Sequence, residues 1–148
     1  MKILRRLVVC LMLCALLVPS SMAEGRGGKT PDSKTVLQNR YKKLKRECKK
    51  RFAYDGSQSE MTMESLEEYQ LWDKELNYVY KKVRKGLSRA KKAALKKSEL
   101  KWIKKRDASA KEAAAAFAGG TAQPMIYNMS LTASTKSRIQ RLISKYAG

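Results

Sequence analysis

The 148-residue chain contains no histidine at all. That removes the commonest general base and the commonest transition-metal ligand. It has three cysteines, and two of them, Cys10 and Cys14, fall in the first 14 residues. Acids are scarce: 13 Asp and Glu stand against 33 Lys and Arg, a formal charge of +20. Cys-x-x-Cys, a phosphate-cradling glycine loop and Gly-x-Ser-x-Gly are missing, so redox, nucleotide and serine-hydrolase chemistry have no foothold. Strand-like alternation is missing as well. The longest apolar run, "LVVCLMLCALLV", is 12 residues, too short for a bilayer-spanning helix of ~20.

That run reads as part of an export signal. Lys2, Arg5 and Arg6 precede it, and "PSSMA" follows with Ser21 and Ala23 at the minus-three and minus-one positions of a signal peptidase site. Cleavage near Ala23 is expected, giving a periplasmic or secreted protein. A lipid anchor on Cys14 is disfavoured by the bulky residues before it. Losing residues 1–23 would leave 30 Lys and Arg against 13 acids, a net charge of +17, and one cysteine, Cys48. An exported protein with one cysteine has no internal disulfide, and a chain of this length can bury enough core to do without one. Residues 24–33, rich in Gly, Pro and polar groups, read as a tail; residues 34–148 read as one helical domain.

Four helices are predicted, and the fold class is all-α, a small bundle of three to four amphipathic helices. The first, about 34–53 with Ser33 as cap, carries a stripe of Leu37, Tyr41, Leu44, Cys48 and Phe52. Its other face is basic, with 8 Lys or Arg among the 12 residues of 40–51. The second, about 62–86, has a heptad-like seam of Leu66, Tyr69, Asp73, Leu76, Tyr80, Val83 and Leu87. Its acidic start and basic end suit the helix dipole. The third, about 91–118, places Leu95, Ser98, Trp102, Arg106, Ser109, Ala113 and Phe117 on one face, with Gly119-Gly120 as its stop. The fourth, about 122–146, is capped by Thr121, has Pro124 in its first turn, and carries Leu131, Thr135, Ile139, Leu142 and Tyr146.

Asp73 and Arg106 interrupt the second and third seams. Burying either alone would be costly, so they are expected to lie within hydrogen-bonding distance as an ion pair between those helices, either as a structural tie or as the lining of a ligand cleft. Glu64, Glu67 and Glu68 offer carboxylates, but the first turns of a helix attract acids in any case. No catalytic, metal or cofactor-binding residue is assigned, and no cofactor is expected. Cys48 lies among Arg46, Lys49, Lys50 and Arg51, cations that would favour a thiolate; without a base beside it, it reads as a small apolar stripe residue, or as the site of an intermolecular disulfide.

"WDKELNYVYKKV", then "WIKKRD", then "GGT", then "SRIQRL" together resemble the lysozyme inhibitor LprI-like N-terminal domain family. The motif positions are Asp73, Leu76, Asn77, Tyr80, Trp102, Arg106, Asp107, Gly119, Gly120, Thr121, Thr135 and Arg138, within about Met61 to Leu142. The resemblance implies a small exported helical protein that binds rather than catalyses. It also implies cysteines at positions that here hold Glu64, Ala110 and about Met129 or Ser130; this chain lacks those disulfides.

Two functions follow. One is a binding protein for lysozyme or another envelope protein, monomeric and non-enzymatic. Typical lysozymes are basic, so a partner of +17 is repelled at long range, and inhibition would require the acidic stretch Glu60 to Glu75 to face the enzyme. The other is electrostatic binding of an anionic envelope polymer, lipopolysaccharide or teichoic acid. Residues 81–111 hold 14 Lys and Arg against two acids, with Lys81, Lys82, Arg84, Lys85, Arg89, Lys91, Lys92, Lys96 and Lys97 as the expected contacts. Electrostatics makes the polymer the stronger ligand at low salt. Nucleic acid is disfavoured by the export signal and the lack of an aromatic stacking platform.

Overall fold

A computed structural model describes residues 33–147. The expected signal segment and nearly all of the expected tail lie outside these residues. Four helices follow one another: α1 (Ser33–Arg51), α2 (Gln58–Lys85), α3 (Arg89–Ala115) and α4 (Gln123–Tyr146). Among the described residues there is no strand, and no helix is long and apolar enough to cross a membrane. The all-α class is as expected.

The principal interface joins α2 to α4; α3 packs on α4, and α1 touches both α2 and α4. Asn128 meets Ser65 near the start of both central helices, while Val83 and Tyr146 share a groove at their ends, so α2 and α4 run parallel. The α1 stripe forms as expected: Leu37, Tyr41, Cys48 and Phe52 are buried, and Leu44 packs against them. So does that of α4, where Leu131, Thr135, Ile139 and Leu142 are buried.

The buried face of α2 differs from the expected seam. It consists of Ser65, Glu68, Trp72, Glu75, Leu76, Val79 and Val83, while Leu66 is 44% exposed. The two faces share only Leu76 and Val83. The reason is electrostatic. Glu68 and Glu75 can be buried because partners elsewhere in the fold satisfy them, and their burial carries Trp72 into the centre. Trp72 is fully buried against Tyr41, with ring centroids 5.2 Å apart. On α3 the buried positions are Leu95, Ala110 and Ala114; Ala113 and Phe117 are exposed, because short alanines, not the larger Phe117, let α3 approach its neighbour. Ala110, where the family resemblance implies a cysteine, lies in the interior.

Helix boundaries follow local chemistry. Ser57 caps α2 and exchanges hydrogen bonds with Glu60, a complete capping box, so α2 starts at Gln58, earlier than the periodicity predicts. α3 is capped by Ser88. Thr121 does not cap α4: the N-cap is Ala122, with no side-chain bond, and Pro124 occupies the first turn. Gly119 takes φ +76° in the connection after α3, a conformation that favours glycine.

Glu68 is the most connected buried acid. Its Oε1 accepts from Lys136 Nζ at 2.7 Å and from Trp72 Nε1 at 3.1 Å. Its Oε2 accepts from the Tyr54 hydroxyl at 2.8 Å. Tyr54 itself holds a left-handed backbone, φ 56°, unusual for a bulky residue, and its N–H donates to Glu64 at 2.9 Å. Burial pushes the Glu68 carboxyl up, but the bonds from Lys136, Tyr54 and Trp72 outweigh it and hold it below its ordinary 4.5. A depressed carboxyl contributes stability above its unfolded-state value that is lost as pH falls through the folded one. The wild type should therefore lose stability relative to Glu68→Gln only below the ordinary value of 4.5, as read by thermal midpoints across an acid series; parallel curves would contradict the network.

Cys48 is a free, buried thiol. Burial, then the Glu68 charge, pushes it up, so the cations flanking it in sequence do not make it a thiolate. Helicity by circular dichroism should be the same with and without reductant; a loss on reduction would mean that an intermolecular bridge supports the fold.

Candidate functional site

Of the motif residues, Asp73, Leu76, Asn77, Tyr80, Trp102, Arg106 and Arg138 line two recesses where α2, α3 and α4 meet. Trp102, half-buried on α3, lies between two arginines: the Arg106 guanidinium carbon is 5.1 Å from its ring centre and that of Arg138 is 5.5 Å away. Such stacking uses the ring's negative face and the broad guanidinium plane. Arg106 follows Trp102 by one helical turn, and Arg138 arrives from α4.

Arg138 is the more deeply held. Its Nε and Nη2 donate to Glu99 Oε2 at 3.0 and 2.7 Å, and Nη2 also donates to Ser98 Oγ at 3.1 Å. The two side chains are 6% and 13% exposed. This is the buried ion pair of the α3–α4 contact.

Arg106 does reach Asp73, but not as expected. Its Nη1 is 3.6 Å from Asp73 Oδ1, an ion pair outside hydrogen-bonding distance, and Asp73 is 39% exposed against 10% for Arg106. The close partner of Arg106 is its neighbour Asp107, with Nε and Nη2 each 2.8 Å from Oδ1. Asp73 instead accepts from Asn77 Nδ2 at 3.1 Å. The adjacent carboxylate competes for the guanidinium, and water competes for Asp73.

Both charges line a groove between α2 and α3. Asp73, Leu76, Asn77, Tyr80, Leu100 and Arg106 form most of it, at about 550 Å³. A second recess of about 350 Å³ lies on the α3–α4 side, where Lys105, Arg106, Arg138 and Arg141 converge beside Trp102. Arg106 contributes to both. Thr135, fully buried with an unpartnered hydroxyl, and the Gly119-Gly120 turn lie outside the grooves and serve the fold.

The three carboxylates weighed at the start of α2 are engaged within the fold. Glu64 accepts from Tyr54, Glu67 pairs with Arg51 at 2.7 Å, and Glu68 holds the network above. Glu75 accepts both bonds from Arg40 Nε, at 2.8 and 2.7 Å. Within the acidic stretch, Glu68 and Glu75 are internal counter-charges, while Glu60, Glu67 and Asp73 stay open to solvent. The nine expected polymer contacts are exposed, apart from half-buried Lys92, and surround the α2–α3 connection. Sequence reasoning missed Trp72, Glu75, Glu99 and Lys136. Only the spacing Glu68–Trp72–Glu75–Val79 could have signalled a second face on α2.

Removing one partner of a buried pair strands the other charge. Arg138→Ala should cost about 3–5 kcal/mol, while Asp73→Ala, at a solvated pair, should cost about 1 kcal/mol or less. Equilibrium denaturation of the two variants measures the contrast, and equal losses would show that the pairs have been ranked wrongly.

No curated protein and no solved structure matches the chain. A family model described as "Lysozyme inhibitor LprI" matches residues 48–142, from Cys48 through Trp72, Trp102, Arg106 and Arg138 to Leu142. With that match covering well over half of the sequence, the chain belongs to the lysozyme inhibitor LprI family.

Proposed function

We propose that the protein is an exported, non-enzymatic binding protein of the lysozyme-inhibitor type, and that the α2–α3 groove is its contact surface. The observation that carries this reading is the gathering of the family motif residues Asp73, Asn77, Tyr80 and Arg106 in one solvent-facing groove. With Glu68 and Glu75 turned to internal partners, the acids left in the groove are Asp73, paired with Arg106, and Glu99, held by Arg138. Arg84 and Lys96 also line it and are the cations offered to the pair of carboxylates that a glycosidase cleft carries. Local complementarity at that pair then acts against the long-range repulsion of two basic molecules.

The expected result is saturable inhibition of a lysozyme, with an association rate that rises as salt screens the repulsion over a Debye length of ~8 Å at 0.15 M. Leu100, 54% exposed in the groove, supplies the test variant. Leu100→Glu should keep its helicity and lose inhibition by about tenfold or more, roughly 1.4 kcal/mol. No inhibition at any salt concentration would remove the reading.

A second reading, retention on an anionic envelope polymer, is favoured by the cluster of exposed cations around the α2–α3 connection. Its salt response has the opposite sign, because binding that releases counterions weakens as salt rises. At low salt it should be the stronger of the two interactions. Titration into labelled lipopolysaccharide or teichoic acid across a salt series tests it, and an affinity indifferent to salt would count against it.

A further inference from the structure

At the end of the bundle where α1 and α3 begin and α2 and α4 finish, there is another groove, of about 800 Å³. This is within the 300–1,000 Å³ range typical of small-ligand sites. Its floor is apolar: Leu37 and Val83 are core residues, and Val36, Leu87 and Ala94 extend the surface outward. Lys82, Lys91 and Lys145 stand on its walls, and among the described residues no acid lines it. Two of the three cations sit over aromatic faces, Lys82 Nζ 5.4 Å from the Tyr78 ring centre and Lys145 Nζ 5.4 Å from that of Tyr146. α3 carries no acid in its first turn, so the positive end of its dipole adds to the field of the lysines.

We propose that this groove binds a single-chain anionic amphiphile, with the acyl chain along the Val36–Leu87–Ala94 floor and the anionic head among Lys82, Lys91 and Lys145. The combination selects the ligand. A hydrophilic polymer would leave the apolar floor wet, and a neutral apolar molecule would leave three cations without a counter-charge. A second copy of the chain would set lysines against lysines. Residues 24–32, "EGRGGKTPD", offer no apolar run to fill it. The site is separate from the α2–α3 groove, so it stands or falls independently of lysozyme binding.

The test is calorimetric titration of the protein with monododecyl phosphate below its micelle concentration, with dodecyl maltoside and inorganic phosphate as comparison ligands. The expected result is one saturable site, about tenfold weaker or more for the neutral maltoside, and no displacement by inorganic phosphate. Ala94→Trp, at an exposed position, fills the groove and should abolish binding with helicity unchanged; Val36→Glu, at another exposed position, should do the same and guards against misfolding of the first variant. Lys145→Glu should weaken binding by about tenfold. Several chains bound per protein would indicate adsorption to the basic surface and overturn the proposal. So would displacement by inorganic phosphate, or undiminished binding in both groove variants. If amphiphile does not bind and Ala94→Trp instead converts a dimer to a monomer by sedimentation, the groove is a contact between copies and the proposal fails.

Discussion

One carboxylate organises the middle of this protein. Glu68 receives hydrogen bonds from Trp72 on its own helix, Lys136 on α4 and Tyr54 in the α1–α2 connection. Each bond constrains a different part of the chain. The Lys136 contact sets α4 against α2, the largest interface in the fold. The Tyr54 contact anchors a connection whose backbone is in the left-handed region. The Trp72 contact satisfies the one polar atom of the largest side chain in the core. Lys136 Nζ also lies 5.0 Å from the Trp72 ring centre, so the cation stabilises the aromatic face as well as the acid.

The same economy governs the charge of the whole molecule. With 13 acids for 33 bases, each acid turned inward leaves the exterior more uniformly positive. Glu68, Glu75 and Glu99 tie helices together through Lys136, Arg40 and Arg138; Glu67 and Arg51 tie α1 to α2. The cations around the α2–α3 connection have no such engagement with the α2 acids, and they set the field that a partner meets.

Where burial depends on residues close in sequence, the fold was legible. The α1 stripe Leu37–Phe52 and the α4 stripe Leu131–Leu142 are apolar throughout, and simple periodicity finds both. The α2 face was not, because two of its members are glutamates. A carboxylate reads as solvent-facing until its partner is known, and the partner of Glu68 is 68 residues away. The Asp73–Arg106 approach was legible from their shared interruption of two seams. The dominance of Asp107 over Asp73, and the deeper Glu99–Arg138 pair, depend on side-chain directions that spacing does not encode. The start of α2 was written in "SQSE", where Ser57 and Glu60 form a capping box, although the apolar pattern begins later.

The buried acids of α2 act as structural ties, and the Glu68–Lys136 contact joins α2 to α4. A double-mutant cycle with Glu68→Gln, Lys136→Met and the double variant, read by equilibrium denaturation at neutral pH, isolates the coupling between them. A favourable coupling of about 1.5–3 kcal/mol is expected, the scale of a charged hydrogen bond in a protected site. Additive losses, equal within about 0.5 kcal/mol, would contradict it and return Glu68 to the free acidic surface.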